Sequence, residues 1–403
     1  MNLIPRVALV YTFVLCSFSV FGNDPAQLAG IREKGLDGHV YYVSPAGDDS
    51  AAGSKESPFG TIQYAAKQLK PGNTLLLREG VYRNTDSTAL AFVHCQGEKD
   101  RWIRIANAPG ENPVLEFDSQ RGLAMQGVRY LVLEGIEFDG KSRELDEEEA
   151  IAYGKNFDNK GDRDPRYFGV GVRVEADESG NYPHHVIVRN CRIHHTAGGG
   201  IALARSDYVL IEANEVFETS YYSPWGESGI SIWESSNHDN RRDVYRTIVR
   251  NNVCYRNDNK VKFWMMGTYS DGNGIILDAL RTNQDILGDG YDEPYSGRIL
   301  IANNTCFENG GRGINLYESD SMDVVENKLI RNAQRDGMKY EIEIGAVKGC
   351  LIEDNVIVSK ADKQSIGGYH YEDIRIEGNL LSGALDNGLE NSGDNYVVGA
   401  DTH

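Results

Sequence analysis

The feature that most constrains this chain is a repeated phrase in which an asparagine precedes an apolar residue by two or three positions. The asparagines are Asn190, Asn214, Asn252, Asn304, Asn327, Asn355 and Asn379. Their apolar partners, which are Ile193, Val216, Cys254, Cys306, Leu329, Ile357 and Leu381, lie 23, 38, 52, 23, 28 and 24 residues apart. A period in the range of about 20–50 residues predicts a solenoid, in which each coil buries its apolar face against its neighbours. Two of the coils are enlarged, and we expect function to reside there.

Two further strand patterns follow each phrase. In the second strand, aliphatic residues alternate with other residues, as in Ile201/Leu203 and Ile314/Leu316, and this period of two is typical of β-strands. A third short apolar strand, such as residues 209–211, completes each coil. Three strands per coil predict an all-β, right-handed, single-stranded parallel β-helix, since a β-propeller needs four strands per unit. Asparagine suits the turns and a hydrogen-bonded ladder along the stack.

The N-terminal region predicts an export signal followed by a cap. Arg6 precedes an apolar run from Val7 to Val20, which is typical of a secretory signal and too short for a membrane span. We therefore expect residues 1–22 to be removed and residues 23–403 to form one secreted, monomeric β-helix domain without a membrane partner. Within it, residues 40–85 predict a cap in which Thr61 begins a short amphipathic helix that closes the apolar end.

The net charge and the cysteine pattern limit the classes of ligand that this chain is predicted to bind. Without residues 1–22 the chain has 40 basic and 60 acidic residues, which argues against nucleic acid, because binding it normally requires a basic surface. The argument is weaker against an acidic polysaccharide, since a local group of arginines and lysines can hold one sugar carboxylate. Cys254 and Cys306 occupy apolar slots of the repeat and predict buried core residues rather than metal ligands.

Outward positions of the second strands form two ladders. In coil order they are Arg173, Ala202, Ser231, Ile276, Asn315, Glu343 and Glu175, Ala204, Trp233, Asp278, Tyr317, Gly345. Adjacent coils lie about 4.8 Å apart, so the ladders predict a long face along which a chain of sugars can lie. We predict substrate contacts at Arg173, Trp233, Asp278, Asn315 and Tyr317, although exposed aromatic residues on a sheet also suit plain cross-strand stacking.

A family resemblance appears near the N-terminus. The runs at residues 41–49 (YYVSPAGDD), 58–66 (PFGTIQYAA) and 80–82 (GVY) resemble the N-terminal segment of secreted right-handed β-helix carbohydrate-active proteins. That group includes pectate-lyase-like and alginate-lyase-like enzymes. The resemblance implies the fold and an enzyme acting on an acidic polysaccharide, but many chemistries occur on one scaffold.

The two enlarged coils insert residues 221–227 and 259–269 between their first and second strands. Tyr222 and Lys260 each lie six residues beyond the apolar member of their coil, which predicts a phenol and an amine side by side. Such a pair suits β-elimination on a uronate polymer, where a base removes the C5 proton and an acid protonates the leaving oxygen. Alginate lyases on this fold are similar in using Tyr and Lys from neighbouring coils, and the resemblance implies these roles for Tyr222 and Lys260. Tyr221 and Lys262 are close substitutes.

Positive charge must accompany this chemistry. A lysine acts as a base only if burial or a neighbouring cation lowers its pKa, and a cation must neutralise the sugar carboxylate. Lys262, Arg205 and Arg312 are the predicted suppliers of that charge and further substrate contacts. His195 is also a predicted substrate contact. His194 occupies the same position in its coil as Phe217 does in the next, so we expect its ring to stack on that of Phe217.

The acidic residues leave other functions open. Asp271, in the sequence Asp-Gly-Asn-Gly, and Asp278 are accompanied by Glu227, Glu234 and Asp285. Paired acids suit a glycoside hydrolase, and clustered oxygens suit Ca²⁺, but the sequence requires no cofactor, and Asp-Gly-Asn-Gly equally suits a turn. The acidic stretch 143–164 predicts an extended, solvated loop.

We favour a secreted lyase acting on alginate ahead of pectate or a glycosaminoglycan. A glycoside hydrolase on the same fold, a non-catalytic polysaccharide-binding or adhesive solenoid, and a uronate epimerase are the alternatives. Unsaturated products would identify a lyase, and reducing ends without them a hydrolase. Binding without depolymerisation would identify a binding protein, and C5 proton exchange without cleavage an epimerase.

Overall fold

The computed structural model describes residues 24–161, 163–281, 293–389 and 392–397. This part of the chain is a right-handed parallel β-helix with three sheets, numbered I, II and III in the order in which each coil visits them. The predicted signal peptide and Asp285 lie outside the described residues.

All strand pairs between neighbouring coils are parallel in the described residues. Sheet I contains Gly80–Arg83, Pro113–Glu116, Glu137–Asp139, Arg192–His194, Glu215–Phe217, Val253–Tyr255, Thr305–Phe307, Lys328–Ile330, Val356–Val358, Leu380–Leu381 and Tyr396–Val397. Sheet II contains Ala91–Val93, Arg121–Gln126, Val170–Glu175, Ile201–Ala204, Ile230–Trp233, Ile275–Asp278, Ile314–Tyr317, Tyr340–Gly345 and Gln364–Tyr369. Sheet III contains Val40–Val43, Thr74–Leu77, Ile103–Asn107, Arg129–Glu134, His184–Arg189, Asp207–Glu212, Tyr245–Arg250, Arg298–Ala302, Asp320–Val325, Lys348–Glu353 and Glu372–Glu377.

The core is a continuous stack of aliphatic side chains inside the three sheets. In sheet II, Ile201, Ile230, Ile275 and Ile314 are register partners, and all are fully buried. Successive coils therefore present the same residue type at the same position, as the alternating pattern predicts. The predicted fold class is confirmed.

The cysteines belong to this core. Cys254 and Cys306 are register partners in sheet I and lie between Val216 and Leu329. The five cysteines of the described residues are all buried and unpaired. Burial raises the pKa of the Cys191 thiol to about 12, so this thiol stays protonated and behaves as a small hydrophobic side chain.

A ladder of buried asparagines runs along the turn that precedes sheet I. Each Nδ2 donates to the Oδ1 of the next member at 2.8–3.0 Å, in the order Asn214, Asn252, Asn304, Asn327, Asn355, Asn379, Asn395. One predicted member is wrong. Cys191, not Asn190, pairs in register with Asn214, because Asn190 lies one residue earlier, in a left-handed turn at φ 53°.

A second ladder, which the sequence interpretation missed, follows sheet I. Asn257 donates to Asn309, Asn309 to Asn332, and Asn332 to the carboxylate of Glu341, at 2.9, 2.7 and 2.6 Å. Glu341 is completely buried, and burial raises its pKa to about 7. This ladder therefore ends on a carboxyl group that titrates near neutral pH.

Short helices close the N-terminal end of the solenoid and occur in the connections between its strands. The predicted cap is the helix Ile62–Ala66, whose Thr61 Oγ1 accepts a hydrogen bond from Tyr64 N at 3.2 Å and whose Ile62 packs into the core. The other helical elements are Pro25–Ala29, Ser142–Glu144, Glu147–Asn156 and Pro165–Tyr167. Within the described residues, no helix combines the length and apolar character that crossing a membrane requires.

The expectation of an extended loop over residues 143–164 is wrong for its central part. Asp146 Oδ1 accepts from Glu149 N at 2.8 Å and thereby begins the helix Glu147–Asn156. The acidic first turn also complements the positive end of the helix dipole. Charge density suggested solvation, whereas the buried Ala150 and Gly154 give the helix a packing face.

Candidate active site

The two insertions and the helix Glu147–Asn156 form what we call the corner lobe, which comprises residues 145–157, 163–168, 221–227 and 260–271. Both insertions leave between sheets I and II, as predicted. Ala150, Tyr167, Phe168, Ala197 and Tyr222 bury one another in a small separate core. The helix approaches the second insertion closely, since a Cβ on Gly154 would lie 2.7 Å from Val261 Cγ1.

Tyr222 and Lys260 meet within this lobe. The Lys260 backbone N–H donates to Tyr221 O at 2.9 Å, which fixes the second insertion against the first. The Lys260 Nζ lies 4.6 Å from the ring centroid of Tyr221 and 5.6 Å from that of Tyr222. The structure therefore brings together the phenol and the amine that the sequence placed in register.

Glu147 joins this pair, and the sequence interpretation did not single it out. Lys260 Nζ forms an ion pair with Glu147 Oε2, and Glu147 lies close enough to Tyr222 for its charge to act on the phenol. Burial and then the Glu147 charge raise the pKa of Tyr222 to about 12. Tyr222 is thus protonated at neutral pH and able to donate a proton, and Lys260 lies beside the same carboxylate.

A second group of ionisable residues lies at the beginning of the sheet II strands. Gly199 N donates to Glu227 Oε2 at 3.1 Å, and Ser270 Oγ donates to Asp271 Oδ2 at 2.6 Å. Burial raises the pKa of Glu227, and it raises that of Asp271 to about 6. Each insertion therefore contributes one residue to each group, Tyr222 and Glu227 from the first, Lys260 and Asp271 from the second.

Arg173 and Arg312 act on this carboxyl pair. The charge of Arg173 lowers the pKa of Glu227 and that of Arg312 lowers the pKa of Asp271, but burial outweighs both. Arg173 Nε donates to Glu175 at 3.0 Å, and Arg312 Nη2 donates to Glu343 at 2.7 Å. The outer face here consequently alternates positive and acidic groups, and among the acidic groups Asp271 is partly protonated near pH 6.

The predicted ladders of sheet II are present in the predicted register. Trp233, Asp278 and Tyr317 are direct partners on neighbouring strands. The other ladder is less open than expected, because Ala202, Ile276 and Asn315 are buried.

The remaining predicted contacts are held by protein partners. Arg205 is buried and donates to Glu234 at 2.9 Å, with its guanidinium 5.7 Å from the Trp233 ring. His195 forms contacts with Glu218 at 3.0 Å and with Arg143 at 2.6 Å. Lys262 is exposed, with Nζ 5.9 Å from the ring of Tyr269. His194 stacks on Phe217 at 5.0 Å, in the aromatic slot predicted for it.

Comparison with known proteins identifies the family. Residues 41–346 match the family described as Pel9A-like, right handed beta helix region. The chain belongs to this family. The predicted resemblance to β-helix carbohydrate-active proteins is thereby confirmed for this Pel9A-like protein.

Individual relatives are more distant. Pectate lyase L of Thermoclostridium stercorarium is 27% identical over 324 residues, which cover 74% of this chain and 23% of that protein. The uncharacterized protein YwoF of Bacillus subtilis (strain 168) is 30% identical over 132 residues, covering 30% of this chain and 27% of that protein. The Pel9A-like chain thus spans about a quarter of the length of these curated relatives.

A solved structure supports the fold alone. The GH136 lacto-N-biosidase from Eubacterium ramulus aligns with a TM-score of 0.51 at 15% identity, covering 90% of this chain and 68% of that one. At this identity the match concerns the fold and leaves the reaction open.

The hypothesis of a Ca²⁺ site in the enlarged coils stays a prediction. Ca²⁺ takes about six to eight oxygen ligands, preferably from ionised carboxylates. Glu227 and Asp271 offer two carboxyl groups whose pKa values burial raises, and which lie under the influence of two arginines. This donor set fits proton chemistry better than a dedicated calcium cage.

Proposed function

We propose that this Pel9A-like protein is a secreted lyase that cleaves a uronate-containing polysaccharide by β-elimination. The observation that carries the proposal is that Lys260 and Tyr222, from neighbouring coils, converge on a single carboxylate, that of Glu147. A uronate carboxylate presents the same chemistry to an ammonium and a phenol. Glu147 is exposed at the first turn of its helix, so we regard it as a placeholder that the substrate displaces.

The proposed reaction needs only groups in the corner lobe. Lys260, in its uncharged form, takes the proton from C5 of the uronate. The electron pair forms the C4–C5 double bond as the C4–O bond breaks, and the Tyr222 hydroxyl protonates the leaving oxygen. Arg173 and Arg312 are the proposed partners of uronate carboxylates along sheet II, with Trp233 and Tyr317 as platforms for sugar rings.

A relative that aligns with most of this chain guides the choice of substrate. Because Pectate lyase L is a pectate lyase by name, polygalacturonate is the first polymer to test, and alginate, which the resemblance implied, is the second. Both are anionic polymers, so binding should weaken as salt screens the arginines.

The decisive experiment measures bond cleavage and its chemistry together. The purified chain is incubated with each polymer, and near-ultraviolet absorbance from unsaturated ends is compared with the release of reducing ends. We expect the two to rise in parallel. Lys260→Met and Tyr222→Phe should each lower kcat/KM by about 10²–10⁴-fold, while Lys155→Met, an exposed lysine on the lobe helix, should not. If near-ultraviolet absorbance and reducing ends still rose together in both variants, the roles assigned to Lys260 and Tyr222 would be wrong.

Removal of the placeholder should increase activity. With Glu147→Gln, substrate no longer competes with an internal carboxylate for Lys260. Since a partly exposed ion pair contributes ~0.5–1 kcal/mol, kcat/KM should rise about two- to fivefold. Glu148→Gln changes the charge equally on the next residue and serves as the control. A loss of activity in Glu147→Gln would instead make Glu147 part of the machinery.

One observation favours a second candidate function, a glycoside hydrolase. Glu227 and Asp271 are carboxyl groups from neighbouring coils with pKa values raised by burial, and one protonated with one ionised acid is what glycoside hydrolysis uses. In that case reducing ends would appear without near-ultraviolet absorbance. Glu227→Gln and Asp271→Asn would then abolish cleavage, whereas Lys260→Met would not.

A further inference from the structure

Three histidines lie together on the outside of sheet III, away from the residues of the proposed lyase mechanism. His184 and His185 begin the strand His184–Arg189, and His238 comes from the connection that follows Ile230–Trp233. Their ring nitrogens can be chosen so that all lie within 4.8 Å of one another. His184 Nδ1 and His185 Nδ1 are 2.9 Å apart, and the rings of His184 and His238 stack at 3.9 Å.

We propose that His184, His185 and His238 form a binding site for a divalent transition metal ion, with Zn²⁺ as the first ion to test. Zinc–imidazole bonds of 2.0–2.1 Å place tetrahedral ligand nitrogens about 3.3 Å apart. The His184–His185 separation of 2.9 Å lies close to that value, and His238 is exposed, so a rotation of its ring can bring its nitrogen to the same point. Three imidazoles with an open fourth position suit a borderline-soft ion rather than Ca²⁺ or Mg²⁺.

The surroundings hold these side chains in place. The ring of His185 lies between Tyr130 and Tyr208, with centroids at 4.6 and 4.5 Å. The backbone N–H of His238 donates to Asp207 Oδ2 at 2.7 Å. Asp207 in turn accepts from Arg246, and both side chains are completely buried. The His238 position is therefore fixed by a buried ion pair, independently of any metal.

Charged residues of both signs surround this cluster, which is one of two such groups in the described residues. Asp239 follows His238 and lies close enough for its charge to act on His185, where Lys99 acts oppositely, while Arg129 acts on His184. Neutral imidazole is the form that binds metal, so binding should weaken as pH falls.

The second group, Asp139, His194 and His195, is a natural comparison. There, the guanidinium of Arg143 lies 2.6 Å from His195 Nδ1 and also donates to Asp139 at 2.8 Å. A fixed positive charge already occupies the position that a metal would need. At the sheet III cluster, no arginine or lysine of the described residues hydrogen-bonds a ring nitrogen, although Arg129 is the register partner of His184. We therefore expect the sheet III cluster, and not the second group, to bind the metal.

A metal at this site would join two coils whose sheet III strands are not direct neighbours. In sheet III the strand of His184 is separated from Tyr245–Arg250 by Asp207–Glu212, and the connection bearing His238 crosses over Tyr208 to reach it. A solenoid is stabilised mainly by contacts between nearest neighbours. A metal clip across two coils would hold the connection that borders the end of the sheet II face.

The test uses the full secreted chain without a histidine tag, treated with a chelator and titrated with Zn²⁺ at pH 7. We expect one equivalent bound and a rise in Tm that depends on Zn²⁺ concentration. His238→Ala and His184→Ala should weaken binding by about 100-fold or more, since even outer partners of metal ligands contribute 10–100-fold. His195→Ala, from the comparison group, should leave the affinity unchanged.

Three results would overturn the site. They are the absence of stoichiometric binding, unchanged affinity in His238→Ala, and loss of binding in His195→Ala equal to that in His238→Ala. Co²⁺ substitution adds a readout independent of stability, because a tetrahedral site gives intense visible absorption that His238→Ala should remove. His238 is exposed, so its replacement is not expected to prevent folding.

Discussion

The asparagine ladders and the corner lobe pair their polar side chains in opposite ways. In the ladder, each asparagine satisfies the next with an identical pair of hydrogen bonds, repeated along the stack. In the lobe, Lys260 pairs with Glu147 beside Tyr222, in a contact that no other coil of the described residues repeats. Repeated contacts stabilise the solenoid, whereas a contact used once is free to be exchanged for a substrate. The predictions below test this division, beginning with the largest effect.

Replacing a ladder asparagine should cost more stability than any change in the lobe. Asn304 donates to Val249 O at 2.9 Å and to Asn327 Oδ1 at 3.0 Å, and it accepts from Asn252 N and Nδ2. Asn304→Ala leaves several buried groups without partners, at about 1–3 kcal/mol each, so we expect a loss of about 3–5 kcal/mol. Urea unfolding followed by circular dichroism measures it.

The matched control is Asn190→Ala. Asn190 has the same sequence signature but lies outside the ladder, in a left-handed turn, so its replacement should cost only about 1 kcal/mol. Equal losses in the two variants would mean that the ladder contributes no more than ordinary turn asparagines do.

The carboxyl end of the second ladder should make stability depend on pH. Burial raises the pKa of Glu341 from 4.5 to about 7, so the folded state binds this proton more tightly than the unfolded state does. The stabilisation is fully present below about pH 4.5 and is lost as pH rises through 7, by about 3 kcal/mol in all.

Glu341→Gln removes this titration. The amide also exchanges one acceptor of the Asn332 hydrogen bonds for a donor, so the variant should be less stable than wild type at pH 4. As pH rises from 4 to 8, the difference in unfolding free energy should shift in favour of the variant. A difference that stays constant across this range would contradict the raised pKa of Glu341.

The strands and their register in the repeated region could be predicted from the sequence because every coil repeats the same pattern. Any one coil repeats the strand pattern of the next, so the register of Trp233, Asp278 and Tyr317 could be derived from spacing alone. The one ladder error, Asn190, is a displacement of a single residue at the point where the ladder begins. The second ladder could have been found from Asn257, Asn309 and Asn332, whose spacing follows that of the first.

The lobe was predictable only in part, because its residues occur once. The spacing placed Tyr222 and Lys260 on neighbouring coils, but it carried no information about Glu147, which arrives from a different coil. A capping signal at Asp146 and Glu149 was present and would have converted the predicted loop into a helix. The His184-His185 pair offered no partner in sequence, since His238 reaches it across two coils.

The smallest predicted effect is an energetic coupling between two carboxyl groups of the lobe, a coupling that the ladder carboxyl should not share. The charge of Asp271 contributes to the raised pKa of Glu227, so the two carboxylates repel each other when both are ionised. In a double-mutant cycle of Glu227→Gln and Asp271→Asn at pH 7, the two single substitutions should together stabilise more than the double substitution does, by about 0.5–1 kcal/mol. At pH 4, where both groups are protonated, this coupling should disappear.

The control is the same cycle between Asp271→Asn and Glu341→Gln, which should be additive at both pH values because the ladder carboxyl is hydrogen-bonded within its own stack. Coupling of equal size in both cycles would show that the solenoid transmits charge effects between the regions, and the division between a stabilising stack and an exchangeable lobe would then fail.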